Sequence, residues 1–208
     1  WQTTNYEAQD IVGTWLNLSL AEMSGDNRLT LHDLQLDYIK LKRESPALHG
    51  KLVDAYRAAC PTGELASGPS SDDGYFWARI LYHLQRAGRD AEVESLLMNP
   101  DWLQRKLERL GPVALAADLG YSPAPGCAIL RRTVNLASQV LSRDPAQLPF
   151  QLCSRLLDQP NSEIRRLVHN LKPRIRLWPL RRSLDAPGAV ERRLRGHVGR
   201  IRSMAVSV

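Results

Sequence analysis

One histidine of this chain lies where a change of structure is expected. In the run Arg28–Leu34 a short alternating stretch gives way to a helical pattern, and His32 lies at the junction. An imidazole at a helix start can donate a hydrogen bond to a phosphate oxygen, and such charge-assisted bonds contribute roughly 1.5–3 kcal/mol. The alternative is structural: His32 caps the helix or packs beside Tyr38. The residue types alone leave both interpretations open.

The other residues that commonly do chemistry are scattered. No Gly-x-x-x-x-Gly-Lys-Ser/Thr phosphate loop occurs in the sequence, and the carboxylates show no arrangement for paired acid–base catalysis. The histidines and cysteines lack the spacing of metal ligands, and we expect the thiols to be buried and free. These residues are His32, His49, His83, His169, His197, Cys60, Cys127 and Cys153. We therefore predict a chain that is not itself an enzyme and that binds no metal.

The positive charge of the chain is concentrated near its C-terminus. From Pro160 onward there are 12 Lys and Arg against 3 acidic residues, whereas residues 1–159 hold 16 against 19. A basic end can bind nucleic acid, anionic lipid or an acidic protein surface, or can simply be solvated. Aromatic residues that could stack on bases are nearly absent there, so we expect no nucleic-acid partner. No stretch has the roughly 18 apolar residues that a membrane span requires.

The pattern along the chain predicts a mainly α fold. A helix over Tyr6–Leu20 is followed by alternation on either side of Ser24–Asn27, which predicts a hairpin, and then by a helix from Leu31 to Leu41. Helix, hairpin, helix is the second half of a winged-helix domain, and we assign it residues 1–45. Short helices broken by Pro and Gly follow, and their short connections favour antiparallel neighbours. We predict a helical arm over residues 46–175.

Residues 176–208 read as a basic, extended connector and the start of a propeller blade. Leu194-Arg195-Gly196-His197 precedes a strand-like run that ends at Val208, as Gly-His precedes the first strand of a WD repeat. One strand cannot bury its faces alone, so we expect residues 181–208 to be poorly ordered or irregularly docked. The first twenty residues lack the pattern of a signal peptide, and we expect an interior part of a longer cytoplasmic protein.

Taken in order, these segments resemble the apoptotic protease-activating-factor family of signal-transduction (STAND/NB-ARC) ATPases with WD-repeat propellers. The segments that carry the resemblance are Leu31–Tyr38, Gly74–Trp77, Tyr82–Leu84, Trp102–Leu107, Asp144–Leu148, Arg176–Leu180 and Gly196-His197. The order is collinear over nearly the whole chain. This resemblance is more specific than any single motif.

The resemblance implies a regulatory and scaffolding role in programmed-cell-death or defence-type signalling. In the family, a separate nucleotide-binding domain holds ATP or ADP, the winged-helix histidine contacts the ADP phosphate, and the arm leads to a propeller. His32 is the residue that would inherit the ADP contact, although Leu31 replaces the usual Met before it. The implied partners are the chain's own nucleotide-binding domain, its propeller and other protomers.

Two other functions remain open from the residues. An independent helical-repeat adaptor would display an exposed apolar groove on the arm. A DNA-binding winged helix would need a basic recognition helix, yet Tyr6–Leu20 contains Glu7 and Asp10 and no Lys or Arg.

Overall fold

The chain folds mainly as α-helices. A computed structural model describes residues 4–25, 29–31, 33, 35, 37–38, 45–71, 74–171 and 179–188. Contacts between Cα atoms divide the chain into two compact units, residues 1–48 and 49–208. The mainly α fold with an N-terminal hairpin and a helical arm is confirmed, whereas the domain limits at 45 and 175 stay predictions.

The first unit contains a helix and a hairpin whose local sequence explains both. Helix α1 (Asn5–Asn17) starts with a capping box: the Thr4 hydroxyl accepts a bond from the Glu7 N–H, and the Glu7 carboxylate accepts one from the Thr4 N–H. Strands β1 (Ala21–Met23) and β2 (Leu29–Leu31) pair antiparallel, with Glu22 opposite Thr30. Residues 33, 35, 37 and 38 have helical backbone, so the predicted order of helix, hairpin and helix is confirmed as far as the described residues go.

Seven helices lie among the described residues from Pro46 onward. They are α2 (Pro46–Ala59), α3 (Tyr75–Arg86), α4 (Asp90–Leu97), α5 (Pro100–Asp118), α6 (Pro125–Arg143), α7 (Leu148–Leu156) and α8 (Ser162–Leu171). Short 3₁₀ turns lie at Leu65–Ser67 and Pro145–Gln147. Three of these helices begin with proline. Proline has no backbone N–H, and this costs nothing in the first turn, where an N–H would have no partner within the helix. No helix among the described residues is both long and apolar enough to cross a bilayer.

Helix α5 is interrupted at Gly111. This residue has φ 79° and ψ 177°, a conformation that is nearly exclusive to glycine, and Pro112 restarts the helix. The sequence predicts the same division, with one helix closed by Gly111 and another opened by Pro112. The break changes which side chains of α5 can meet.

The second unit packs around one hydrophobic core. Trp77 of α3 stacks on Trp102 of α5 with ring centroids 5.0 Å apart, and Phe76 meets both rings edge-on. Phe76 and Trp102 are fully buried. The loop before α3 closes on this aromatic group at Gly68, whose φ is 69° and where a Cβ would lie 2.5 Å from Trp77 Cζ2.

The described part of the connector, residues 179–188, is irregular and docks on α7. The N–H groups of Ser183 and Leu184 both donate to the carbonyl oxygen of Ser154, at 3.3 and 3.2 Å. Arg155 Nη1 donates to the carbonyl oxygen of Asp185 at 2.9 Å. Ser154 lies in the last turn of α7, where carbonyls lack helical partners, so the connector supplies the missing donors. Irregular docking is thus observed for residues 181–188, and residues 189–208 lie outside the described residues.

Candidate functional site in the helical region

The predicted ligand-contacting residue, His32, lies outside the described residues. Its neighbours place the predicted junction: Leu31 is the last residue of β2 and is half-buried, while Asp33 is exposed and has helical backbone. His197 also lies outside the described residues, and His169 is exposed on α8. The two remaining histidines, His49 and His83, lie in contact.

His49 of α2 and His83 of α3 face each other through the same ring atom. Their Nδ1 atoms are 2.7 Å apart, and Tyr75 Oη lies 2.7 Å from His83 Nε2. The ring centroids are 4.9 Å apart, so the two nitrogens point at each other nearly along the line that joins the rings. This is hydrogen-bond geometry, in which one Nδ1 donates and the other accepts.

Two ion pairs continue this contact along α2. Arg89, at the start of α4, donates to both carboxylate oxygens of Asp54, at 2.7 and 3.0 Å, and Arg57 pairs with Glu92. The hydrogen bonds from Arg89 lower the pKa of the Asp54 carboxyl below its ordinary value. We call the three contacts His49–His83, Asp54–Arg89 and Arg57–Glu92 the α2 seam.

A third ion pair is buried in the core. Lys106 Nζ lies 2.7 Å from Asp118 Oδ2, and the two side chains are only 2% and 9% exposed. Lys106 also donates to the Trp77 carbonyl and lies over the Trp102 ring. Burial raises the pKa of Asp118 to about 6, although the nearby lysine opposes that rise.

The break at Gly111 makes this pair possible. On a straight helix, residues 12 positions apart would be about 18 Å apart along the axis and would face directions about 120° apart. Lys106 and Asp118 belong to the same helix α5 but touch, because Gly111 redirects the chain between them. The interruption therefore has a role in packing beyond ending a helix.

The cysteines take the structural role that the sequence predicts. Cys60, Cys127 and Cys153 are buried and free. Burial raises the pKa of each thiol, in the case of Cys153 to about 12. A thiol of this kind stays protonated near neutral pH and is a poor nucleophile.

The described residues hold no group of three or more His, Cys, Asp or Glu side chains that could bind a metal ion. A cleft of about 390 Å³ lies between α4, α6 and α8 and is lined by Glu94, Glu163 and Arg166 among others. Glu94 accepts a hydrogen bond from Ser122 at 3.1 Å. The charged side chains that line the cleft are of both signs and belong to different helices. They form no recognisable catalytic arrangement.

Sequence reasoning missed the α2 seam. It places His83 correctly as an interior helical residue, since the side chain is buried on α3, but it does not pair it with His49. The two histidines are 34 positions apart, and no local spacing signals their contact. Only the packing of α2 against α3 brings them together.

Comparison with known proteins finds similarity in the helical region. The protein-family model of the APAF-1 helical domain matches residues 45–123 of this chain. This range runs from the residue before α2 to the loop before α6. Apoptotic protease-activating factor 1 of Rattus norvegicus is 27% identical over 158 residues, 70% of this chain and 12% of that protein. The Mus musculus protein is 27% identical over 179 residues, 80% of this chain and 14% of that protein.

The human relative gives the same result over a shorter stretch. Apoptotic protease-activating factor 1 of Homo sapiens is 31% identical over 121 residues, which are 55% of this chain and 10% of that protein. The chain thus spans between a tenth and a seventh of the length of these relatives. Residues 45–123 are thus similar to the APAF-1 helical domain, and the chain contains an Apaf-1-like helical region.

Proposed function

We propose that this chain is a non-enzymatic regulatory and scaffolding segment of an Apaf-1-like signalling protein that acts in the cytoplasm in a programmed-cell-death or defence-type pathway. The observation that carries the proposal is the match of residues 45–123 to the APAF-1 helical domain. The matched range begins at Ser45, whose hydroxyl accepts a hydrogen bond from the Leu48 N–H at the start of α2, so it coincides with a structural element.

In this proposal the arm links a nucleotide-binding core to a sensor propeller. The N-terminal helix and hairpin serve as the second half of a winged helix, and the basic C-terminal segment leads to a WD-type propeller. The arm helps to hold an autoinhibited state and supports oligomerisation with other protomers after activation. ATP and ADP are ligands of the complete protein rather than of these 208 residues.

The sequence encoded on either side of these residues provides a direct test. We expect a phosphate-binding loop roughly 250–300 residues upstream of Trp1, the distance that a nucleotide-binding module with its linker domains occupies. Gly-His and Trp-Asp repeats should follow Val208 with a period of roughly 40–45 residues. An upstream region without a phosphate-binding loop contradicts the nucleotide-switch proposal.

His32 is the proposed contact to the ADP phosphate in the complete protein. We expect His32→Ala to weaken ADP retention and to raise basal activation, because the closed state loses one charge-assisted hydrogen bond. Bound nucleotide is measured by chromatography after the purified complete protein is denatured. His169→Ala, at an exposed position on α8, is the control. Equal ADP content in His32→Ala and in the unmodified protein contradicts the proposed contact.

A helical adaptor is the second candidate, and one surface feature favours it. A groove of about 160 Å³ lies between the second half of α5 and α6, and Val113 on its edge is 75% exposed. Leu110 and Val140 are also exposed on these two helices. An adaptor would bind a protein partner through this groove whatever the nucleotide state.

One variant in the groove and one outside it separate the two candidate functions. Val113→Asp should abolish partner binding by an adaptor, whereas Arg105→Asp, at an exposed position of the first half of α5, should not. If the chain is instead a nucleotide-controlled segment, oligomerisation of the complete protein should depend on ATP in both variants. Size-exclusion chromatography with and without ATP gives the result.

A further inference from the structure

The small groove between α5 and α6 has an exposed apolar residue at its edge. Pro112, Val113 and Ala116 line it from the second half of α5, and Asn135 and Ser138 line it from α6. The groove holds about 160 Å³, and Val113 is 75% exposed, although valine is usually buried in folded proteins. Sites for drug-sized ligands occupy roughly 300–1,000 Å³, so this groove suits one apolar side chain of a larger partner.

Two arginines continue the groove side of α6. Arg131 and Arg132 lie four and three positions before Asn135, so they project from the same face of the helix one turn away. Both arginines are exposed. The Arg131 guanidinium reaches the end of α5, since its Nη1 lies 3.6 Å from the position that a Cβ would take on Gly120. Basic groups therefore lie beside one end of the groove.

The positive charge of these arginines is not neutralised by the helices that form the groove. Helix α6 contains no Asp or Glu. The acidic residue in the second half of α5 is Asp118, which is buried beside Lys106. Within the part of the chain that the structure describes, neither Arg131 nor Arg132 takes part in an ion pair or a hydrogen bond. This end of the groove is complementary in charge to a partner that carries carboxylates.

The surroundings of the groove favour a helical partner. An extended peptide gains affinity by pairing with the edge of a sheet, and the described residues of the second unit form no strand. A helix satisfies its own backbone groups, and it presents side chains three and four positions apart on one face. The residues that line the groove include no aromatic ring on which a nucleic-acid base could stack.

We propose that this groove binds an acidic amphipathic helix of a partner protein. An apolar side chain of that helix enters beside Val113, and Asp or Glu three or four positions away from it pairs with Arg131 and Arg132. The proposal rests on the helical-adaptor candidate for the use of the groove and adds the chemistry of the partner. It needs no nucleotide, so the nucleotide-switch proposal stands or falls separately.

Selection from a library of helical peptides tests the chemistry of the partner. The displayed peptides have about 16 residues, a length at which a helix can form, and one face of each is randomised. The immobilised 208-residue chain is the target. We expect the retained peptides to share an apolar residue with Asp or Glu three or four positions away. Retention of no peptide, or of neutral or basic peptides, overturns the proposal. If binding of neutral peptides is lost in Val113→Asp, the adaptor candidate survives without the acidic partner.

Charge reversal beside the groove gives a quantitative test. Fluorescence anisotropy with a labelled, selected peptide measures the dissociation constant, and circular dichroism checks that each variant is folded. Arg131→Glu combined with Arg132→Glu should weaken binding about tenfold or more, because like charges then face each other, and Val113→Asp should weaken it similarly. The matched control, Arg165→Glu combined with Arg166→Glu, reverses two adjacent exposed arginines on α8 and should leave the dissociation constant unchanged. An equal loss in the two double variants overturns the proposal.

Attraction of the arginines to polyanions in general is measured with two further probes. These are vesicles of phosphatidylserine and phosphatidylcholine, and single-stranded DNA, both at about 0.15 M salt. We expect each to bind more weakly than the selected peptide and to bind Val113→Asp as well as the unmodified chain, because neither fills the groove. Tighter binding of either probe than of the peptide would identify a lipid or nucleic-acid surface and overturn the proposal.

Discussion

The two units of the chain contrast in how their apolar side chains are used. Among the described residues of the first unit only Ala21 is buried, and Tyr6 and Leu18 are 81% and 62% exposed. In the second unit, Phe76 and Trp102 are fully buried within a continuous core. The first unit therefore owes its described structure to local signals, such as the Thr4–Glu7 capping box, whereas the second owes its structure to packing.

The largest expected effect comes from removing equivalent aromatic rings in the two units. Trp102→Ala should lower the free energy of unfolding by about 3–5 kcal/mol, because it deletes a fully buried ring from the core. Trp15→Ala should cost about 1 kcal/mol or less, since that side chain is 38% exposed. Urea unfolding followed by far-ultraviolet circular dichroism measures both. Equal losses would remove the contrast between the units.

Within the second unit, the buried and the exposed ion pair should differ strongly. Lys106→Met leaves the Asp118 carboxyl buried without a counter-charge and should cost about 3 kcal/mol. Asp54→Asn breaks a pair that is 28% and 57% exposed and should cost about 0.5 kcal/mol. The double change Lys106→Met with Asp118→Leu should recover most of the loss. If the double variant did not recover this stability, the Lys106–Asp118 ion pair would contribute more to stability than apolar side chains in the same place.

Two glycines with the same φ of 69° differ in what an added methyl group would meet. Gly68→Ala should cost about 2 kcal/mol, because its Cβ would lie 2.5 Å from Trp77 Cζ2 as well as straining the backbone. Gly63 has no neighbouring atom within 4 Å of the same Cβ position, so Gly63→Ala should cost only the strain, about 1 kcal/mol. Thermal unfolding of the two variants and of the unmodified chain measures both losses of stability. Equal costs would show that the loop near Gly68 yields to the methyl group.

The core should also carry a pH dependence through Asp118. Burial raises its pKa to about 6 from the ordinary 3.8, so between these values the folded chain holds a proton that the unfolded chain has lost. The contribution of this carboxyl to the free energy of unfolding should therefore increase by about 1 kcal/mol as the pH falls from 7 to 5. Asp118→Asn should lack this increase when unfolding is compared at the two pH values. A parallel increase in the variant would assign the effect to other groups.

The smallest effect should be equal in the two units. Thr4 caps α1 in the exposed unit and Asn99 caps α5 in the packed one, each through a side-chain oxygen that accepts backbone N–H bonds. Thr4→Ala and Asn99→Ala should each cost about 0.5–1 kcal/mol, because a cap acts on its own helix. Local amide exchange at the start of each helix measures the loss. A much larger cost at Asn99 would show that capping is amplified by packing.

Proline, glycine and turn-forming residues made much of the fold predictable, because they mark where helices and strands end. Pro46 and Pro100, with Gly111 and the pair Ala87-Gly88, mark helix ends that the structure places at the same positions or within a few residues. The hairpin followed from alternation on either side of a turn rich in Gly, Asp and Asn. These signals act over a few residues, so they can be read without knowledge of the fold.

Contacts between distant residues could not be predicted in the same way. His49 meets His83, and Lys106 meets Asp118 only because Gly111 redirects α5. Such contacts depend on helix packing, for which a single sequence gives no local pattern. His32 is the opposite case: its neighbours behave as the pattern predicts, and its ligand contact stays a prediction.

The docking of the connector on α7 changes the reach of the chain that follows it. A free run of the 17 residues from Lys172 to Gly188 could extend roughly 60 Å, and its end would explore a large volume. The bonds from Ser183 and Leu184 to Ser154 hold these two residues at the end of α7. Anything joined after Gly188 is therefore tethered from α7, at a higher effective concentration near the arm than a free linker would give.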